Sequence, residues 1–132
     1  AIEDQKIASL LSVEGGEAIE GDLEKLNYLY LRGVRIMTLS WNYPNEITGS
    51  IAEENGSGLS DFGRQVARKM NEIGMMIDVS HISEKGFWDV IEIAEKPILA
   101  THSNAKAICG HRRNLSDEQI YAIINPRKAV LR

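Results

Sequence analysis

Several short apolar runs in this chain each lead into a polar side chain, and this pattern limits the folds that the chain can adopt. The runs and the residues that follow them are Ile7–Val13 with Glu14, Met75–Ser80 with His81, and Ile98–Thr101 with His102. Continuous apolar runs of this length are typical of strands that are buried on both faces, as in parallel sheets. We therefore expect each run to be a strand with one polar side chain at its carboxyl end.

Amphipathic segments separate these runs, and their apolar residues recur at the three- and four-residue spacing of helices. Four helices are predicted. The first has the apolar residues Ile19, Leu23, Leu26, Leu29 and Tyr30 and ends at Gly33, and the second has Phe62, Val66, Met70 and Ile73 between Ser60 and Gly74. The third has Phe87, Val90, Ile91 and Ala94 between Ser83 and Pro97, and the fourth has Ile120, Ile123 and Ile124 after a capping box at Ser116–Gln119. The serines are typical helix N-caps. Val34–Leu39 is a further predicted strand.

Strands that alternate with helices predict a parallel sheet with right-handed crossovers. The predicted fold class is α/β, with residues 1–132 forming a single domain of about four consecutive βα units from a (β/α) barrel of the TIM type. In such barrels the functional residues lie at the carboxyl ends of the strands. The long segment Ser40–Gly58 is predicted to be a loop that borders this site, since loops of that length are usually functional. An open flavodoxin-like sheet is the alternative fold, and it leaves the strand-end histidines unexplained.

Composition limits the classes of partner and cofactor. The 132 residues are 43% hydrophobic and 26% charged, with a net charge of −4 and no basic cluster, so nucleic acid is not an expected partner. The single cysteine, Cys109, excludes a disulfide within the chain and a cysteine-rich zinc site. No apolar stretch approaches the roughly 20 residues of a transmembrane helix. The sequence shows no signal-peptide pattern, so we expect a cytoplasmic protein.

Glu14, His81 and His102 are the candidate metal ligands. Neutral imidazole is the commonest protein ligand for metals, and a carboxylate can bridge two cations. Each residue also has an ordinary structural explanation, because a strand-end histidine can bond a carbonyl and a carboxylate can accept backbone amides. Asp78, within the run before His81, is expected either to orient a ligand histidine or to form a salt bridge inside the barrel.

Four motifs together resemble the membrane (renal) dipeptidase family of zinc peptidases. They are Ser12–Gly16 (SVEGG), Thr38–Asn42 (TLSWN), Gly58–Arg64 (GLSDFGR) leading to Met75–His81 (MMIDVSH), and Thr101–Ala105 (THSNA) with Arg112–Asn114 (RRN). The motifs occur in the order and at the spacing of that family, over roughly residues 1–125.

This resemblance implies an eight-stranded barrel that hydrolyses the peptide bond of dipeptides with a metal-activated water. It implies that Glu14 bridges two zinc ions and that His81 and His102 bind the second of them. Arg113 would hold the terminal carboxylate of the substrate. Trp41 and Asn42 would lie beside the substrate, and Trp41 stands where some relatives carry a histidine.

Two hypotheses about function follow. The family also uses a His-x-Asp pair on its first strand and a proton-handling aspartate on its last, and neither has a counterpart in this sequence. The chain is therefore expected either to be part of a zinc dipeptidase barrel, truncated and inactive alone, or to be a non-catalytic remnant that self-associates. Part of a barrel leaves strand edges unpaired, so we expect a homo-oligomer.

Overall fold

The computed structural model describes residues 7–125, in which strands and helices alternate along the chain. The strands are β1 (Leu11–Glu14), β2 (Val34–Thr38) and β3 (Met76–Asp78). The α-helices are α1 (Leu23–Leu31), α2 (Asp61–Ile73), α3 (Glu84–Ile93) and α4 (Asp117–Ile124), and a short 3-10 helix covers Gly16–Ile19. The two ends of the predicted domain, 1–6 and 126–132, lie outside the described residues.

The three strands form a parallel sheet in the order β1-β2-β3. Glu14 is the register partner of Thr38, and Thr38 is in turn the partner of Asp78. The last residues of the three strands therefore lie side by side at one edge of the sheet. The α/β class and the parallel arrangement predicted from the sequence are confirmed.

The predicted fourth strand, Ile98–Thr101, is much shorter in the structure and forms a single parallel bridge between Leu99 and Asp78. Leu99 N donates to Ile77 O, and Leu99 O accepts from Val79 N, both at 2.8 Å. The ladder stops there because Thr101 N donates to the Asp78 side chain instead of to a backbone carbonyl. The segment nevertheless lies beside β3, where a fourth strand would lie.

The first predicted helix is divided in two. Glu20 and Gly21 both have left-handed backbone conformations, with φ of 49° and 70°, which end the 3-10 helix. The chain then restarts as α1, where the Asp22 side chain accepts a hydrogen bond from Glu24 N at 2.8 Å. The apolar spacing from Ile19 onward is continuous in the sequence, so the break is set by local backbone geometry and the Asp22 cap.

The other helix boundaries follow the sequence prediction. Ser60, Ser83 and Ser116 cap α2, α3 and α4, and Ser116 forms the reciprocal capping box with Gln119. Gly74 ends α2 with a φ of 80°, a conformation that glycine adopts without steric cost.

The core lies between the sheet and the inner faces of the helices. Its most fully buried apolar side chains include Leu26, Met37, Leu39, Ile47, Val66, Met70, Ile77, Phe87 and Val90. The predicted inner faces of α2 and α3 supply several of these, whereas α4 buries Ala122 and leaves Ile124 exposed. Within residues 7–125 no helix is both long enough and apolar enough to span a membrane.

Candidate metal centre

The side chains of Glu14, His81 and His102 meet at the carboxyl edge of the sheet. Glu14 Oε1 lies 3.2 Å from His81 Nε2 and 3.1 Å from His102 Nε2. One ligand atom from each residue falls within a group whose members are all within 4.8 Å of one another. The structure thus brings together the three residues that the sequence singled out as metal ligands.

Glu14 is fixed by the two glycines that follow it. Gly15 N donates to Thr38 O at 3.1 Å, and Gly16 N donates to Leu39 O at 3.2 Å, so the turn lies directly against the end of β2. A Cβ on Gly16 would lie 2.7 Å from Leu39 O, closer than real Cβ contacts. Only glycine allows this approach, which sets where the Glu14 backbone leaves the sheet.

His81 is placed by a tight turn after β3. Its backbone φ is 66°, and its carbonyl accepts a hydrogen bond from Ile51 N at 2.8 Å. The His81 side chain is only 3% exposed, whereas the side chains of His102 and Glu14 are 39% and 50% exposed. The cluster is therefore closed on the His81 side and open to solvent on the other side.

The electrostatics of the cluster favour a neutral His81. Burial lowers the pKa of the His81 imidazole, and the positive charge of Arg113 and the His102 ring lower it further. The nearby Glu14 and Asp78 oppose this shift only in part. A neutral imidazole is the form that binds a metal.

The donor set fits a metal such as zinc. Two imidazole nitrogens and one carboxylate oxygen are typical ligands of a catalytic zinc site, which keeps at least one further position open. Ligand atoms at about 2.0–2.1 Å in tetrahedral geometry would lie about 3.3 Å apart. The two distances from Glu14 Oε1, 3.2 and 3.1 Å, are close to that spacing.

Asp78 supports the cluster from inside the sheet edge. Its Oδ1 accepts from Ser80 N, Ser80 Oγ and Thr101 N, and its Oδ2 accepts from Thr38 Oγ1 and Thr101 Oγ1. Burial alone raises the pKa of Asp78, but the hydrogen bonds from Thr101, Ser80 and Thr38 together outweigh it and hold the pKa below its usual range. Within residues 7–125 Asp78 pairs with hydroxyls and backbone amides and not with a lysine or arginine, and its role in orienting a ligand histidine stays a prediction.

Thr101 connects Asp78 to a candidate ligand and was not singled out from the sequence. Its Oγ1 lies 2.6 Å from Asp78 Oδ2 and 2.8 Å from His102 Nδ1. The available signal was a hydroxyl residue directly before each strand-end histidine, namely Ser80 before His81 and Thr101 before His102.

The positive charge of Arg113 contributes to lowering the pKa of the His81 imidazole. The two side chains line the same small cavity, which has a volume of about 60 Å³. The Arg113 Nε is buried and has no hydrogen-bond partner within the described part of the chain. An unpaired guanidinium nitrogen beside the candidate metal ligands is available to an anionic group.

Trp41 and Asn42 lie in the loop that follows β2, at the same end of the sheet. Trp41 is 46% exposed, and its carbonyl accepts a hydrogen bond from Ser50 Oγ at 2.8 Å. Asn42 is half-buried. Their contact with a substrate stays a prediction.

Comparison with known proteins identifies relatives of the whole chain. A family model described as "Membrane dipeptidase (Peptidase family M19)" matches residues 1–130. The chain is 39% identical over 127 residues to an uncharacterised Klebsiella pneumoniae protein from the pqqA 5' region, covering 92% of this chain and 47% of that protein. It is 35% identical over 120 residues to human Dipeptidase 3, covering 86% of this chain and 25% of that protein.

A solved structure shows the same fold and closely related sequence. The Rhodobacter sphaeroides metallopeptidase, liganded with a phosphinate mimic of the dipeptide L-Ala-D-Ala, matches with a TM-score of 0.84 and 34% identity. That match covers 95% of this chain and 37% of the metallopeptidase. The chain spans less than half the length of its curated relatives from Acinetobacter calcoaceticus and Klebsiella pneumoniae, 40% and 47% respectively. Together with the converging site, these matches show that the chain belongs to the membrane dipeptidase family, peptidase family M19, which is a family of metallopeptidases.

Proposed function

We propose that this chain forms the histidine-containing half of the zinc site of a dipeptidase. The observation that carries the proposal is the position of Glu14 Oε1, which lies 3.2 and 3.1 Å from the Nε2 atoms of His81 and His102. Carboxylate and imidazole acceptors at this spacing repel one another unless a proton or a cation lies between them. Zinc, when bound, supplies Lewis-acid chemistry that activates water for attack on a peptide carbonyl.

The residues of the chain have distinct roles in this proposal. His81, buried and held neutral, provides the inner ligand, and His102 provides the ligand on the solvent side. Glu14 supplies the negative charge and, with its second oxygen, can contact another cation. The parallel strand ends fix all three at the edge where barrel enzymes carry their active sites.

Arg113 is proposed to bind the terminal carboxylate of a dipeptide substrate. Support comes from its buried, unpaired Nε and from the cavity it shares with His81. A guanidinium group recognises a carboxylate through two parallel hydrogen bonds. Trp41 and Asn42, in the loop after β2, are proposed to border the same substrate on its other side.

We propose that the 132-residue chain does not turn over dipeptides by itself. Its curated relatives are more than twice as long, and the described residues provide ligands for only part of a two-metal site. A binuclear centre clamps both the attacking and the leaving groups, so half of it retains metal binding without efficient hydrolysis.

Zinc titration by calorimetry tests this function. The wild-type chain is expected to bind about one zinc per chain, and His81→Ala/His102→Ala is expected to lose that binding. His111→Ala is the matched control, because His111 is exposed and outside the cluster. Binding that survives in the double variant, or that disappears in the control, would contradict the proposal.

A second candidate function is a self-associating module without catalytic activity. The observation that favours it is the edge of β1, which within residues 7–125 pairs only with β2. Leu10 and Leu11 at this edge are 62% and 60% exposed. An unpaired, apolar strand edge is a surface on which another strand can dock.

A further inference from the structure

The Thr101 hydroxyl lies between a buried carboxylate and the ring of His102. Its Oγ1 is 2.6 Å from Asp78 Oδ2 and 2.8 Å from His102 Nδ1. Asp78 is 1% exposed and accepts all of its hydrogen bonds from hydroxyls and backbone amides. A hydroxyl has one proton to donate, so the direction of these two bonds is coupled.

The direction follows from the donors around Asp78. Ser80 N and Thr101 N can only donate, and both donate to Asp78 Oδ1. The Asp78 carboxylate acts as the acceptor for all of these donors. The Thr101 hydroxyl therefore also donates its proton to Asp78 Oδ2. The remaining lone pairs of Thr101 Oγ1 can then only accept a proton from His102, which requires a proton on Nδ1.

We propose that Asp78 and Thr101 act as positioning residues that fix His102 in the form with a proton on Nδ1, so that the Nε2 lone pair faces Glu14 and the metal position. This inference rests on the proposed zinc site, because it assigns the Nε2 atom to the metal. A histidine ligand whose second nitrogen donates to a fixed acceptor is held in one tautomer and one ring orientation.

The same carboxylate also holds the backbone of His102. His102 N donates to Ser80 Oγ at 3.3 Å, and Ser80 Oγ donates to Asp78 Oδ1 at 2.8 Å. The two chains of hydrogen bonds converge on one residue and constrain both the backbone and the ring of the ligand.

Thr38 allows a direct comparison with Thr101, because both hydroxyls donate to the same Asp78 oxygen. Thr38 Oγ1 also donates to Asp78 Oδ2, at 2.7 Å, but within the described residues it forms no hydrogen bond with a histidine. His81 Nδ1 is buried and has no partner among the described residues. The arrangement is therefore specific to Thr101 and His102, and Thr38→Val is a matched control for Thr101→Val.

The first test measures the tautomer without any metal. Long-range ¹H–¹⁵N spectra are recorded on the ¹⁵N-histidine-labelled chain carrying Glu14→Ala, which removes the competing acceptor at Nε2, at a pH where the rings are neutral. With Thr101 present, His102 is expected to carry its proton on Nδ1. In Thr101→Val the proton is expected to move mainly to Nε2, whereas Thr101→Ser and Thr38→Val keep it on Nδ1.

Two results of this test would overturn the proposal. One is a proton on Nε2 while Thr101 is in place, and the other is the same tautomer with Thr101 and with valine. If the valine variant does not fold, the tautomer with Thr101 in place still tests the proposal, because a proton on Nε2 would overturn it.

The second test measures zinc affinity with Glu14 in place. Loss of an outer hydrogen-bond partner of a ligand typically weakens metal binding about ten- to one-hundredfold, and we expect a loss in this range for Thr101→Val. Thr101→Ser should restore most of the affinity. An unchanged affinity in Thr101→Val would count against the proposal. If the wild-type chain binds no zinc, the proposed function fails, and the tautomer measurement alone decides the role of Thr101.

Discussion

At the scale of single residues, His81 combines two features that are unfavourable for folding. Its backbone has a φ of 66°, a left-handed conformation that is uncommon for residues other than glycine. Its imidazole is almost completely buried, although a ring nitrogen, Nδ1, lacks a partner within residues 7–125. Conformations of this kind persist at functional sites because the surrounding structure holds them.

The strain at His81 predicts an unusual order of stability among its variants. His81→Gly and His81→Ala both remove the ring and should both lose zinc binding. The glycine variant should nevertheless be more stable than the alanine variant by about 1 kcal/mol, because alanine is disfavoured in a left-handed conformation. Urea unfolding of the metal-free variants measures the difference, and an alanine variant as stable as the glycine variant would show that the strain is absent.

The lowered pKa of His81 predicts a pH dependence of stability in the metal-free chain. In the unfolded chain the ring titrates near its ordinary value of 6.5, and in the folded chain it titrates at lower pH. The unfolded state therefore binds the proton first as the pH falls. The contribution of His81 to the free energy of unfolding is complete above about pH 6.5 and is lost as the pH falls toward the folded pKa.

This dependence is measured by comparing unfolding free energies near pH 7.5 and pH 5.5. The wild-type chain should lose stability over this interval, and His81→Gln should lose less. His111→Gln, a change at an exposed histidine, should behave like the wild type. Equal losses in wild type and His81→Gln would show that His81 does not titrate abnormally. Protonation of Asp78 adds a separate loss of stability only below its ordinary pKa of 3.8, because the pKa of Asp78 in the folded chain is also lowered.

The candidate ligands and Asp78 could be singled out from the sequence, but Thr101 could not. Glu14, His81 and His102 each follow an apolar run, and the parallel sheet brings the ends of such runs together. For Thr101 the sequence shows only a hydroxyl next to a strand-end histidine, and its role depends on the distances from that hydroxyl to the Asp78 carboxylate and the His102 ring in the folded chain. Asp78 stood out as a charge within an apolar run, and the structure shows which partners satisfy it.

At the scale of elements, Asp78 joins the ends of three neighbouring segments. It accepts hydrogen bonds from Thr38 at the end of β2, from Ser80 after β3 and from Thr101 after the Leu99 bridge. Each of these residues is the partner or direct neighbour of a candidate ligand. The carboxylate therefore aligns the segments that carry the metal site.

Replacement of this carboxylate should destabilise the fold. Asp78→Asn replaces a carboxylate oxygen by an amide NH2, which faces N–H and O–H groups that also donate. Some of these buried donors then lack an acceptor, and each buried unsatisfied polar group costs about 1–3 kcal/mol. We expect the free energy of unfolding to fall by at least about 2 kcal/mol, with zinc affinity reduced as well. Asp61→Asn, at the exposed first turn of α2, should change stability by less than about 1 kcal/mol. Urea unfolding compares the two, and similar effects at both sites would contradict the role given to Asp78.

Helix ends were more predictable than strand lengths. Serine caps and Gly74 act through local backbone geometry, so Ser60, Ser83 and Ser116 mark the observed helix starts. Strand length depends on pairing with a neighbour, which the sequence of one strand does not encode. The Ile98–Thr101 run illustrates this, because a side-chain acceptor replaces the backbone acceptor that would extend its ladder.

At the scale of the whole molecule, the start of β1 and the residues just before it expose apolar side chains. Ile7, Leu10 and Leu11 are 97%, 62% and 60% exposed, and β1 pairs on one side only within the described residues. In a soluble protein such an edge is normally paired, covered or charged. We propose that it pairs with a second copy when the 132-residue chain is isolated.

Self-association should respond to charge at this edge. The wild-type chain is expected to sediment as a dimer or larger species, and the fraction of associated chain should rise with protein concentration. Leu11→Lys should shift the chain toward the monomer, because an edge lysine opposes strand pairing. Ile108→Lys is the control, since Ile108 is 89% exposed in a turn that belongs to none of the three strands. Analytical ultracentrifugation makes the comparison, and a wild-type chain that stays monomeric at high concentration would exclude the proposal.

We propose that Glu14, His81 and His102 together bind one metal ion. Anomalous diffraction at the zinc absorption edge, on crystals of the zinc-loaded chain, tests it most directly. We expect one strong peak about 2.0–2.2 Å from Glu14 Oε1, His81 Nε2 and His102 Nε2. A peak at other side chains, or none at this cluster at saturating zinc, would contradict it.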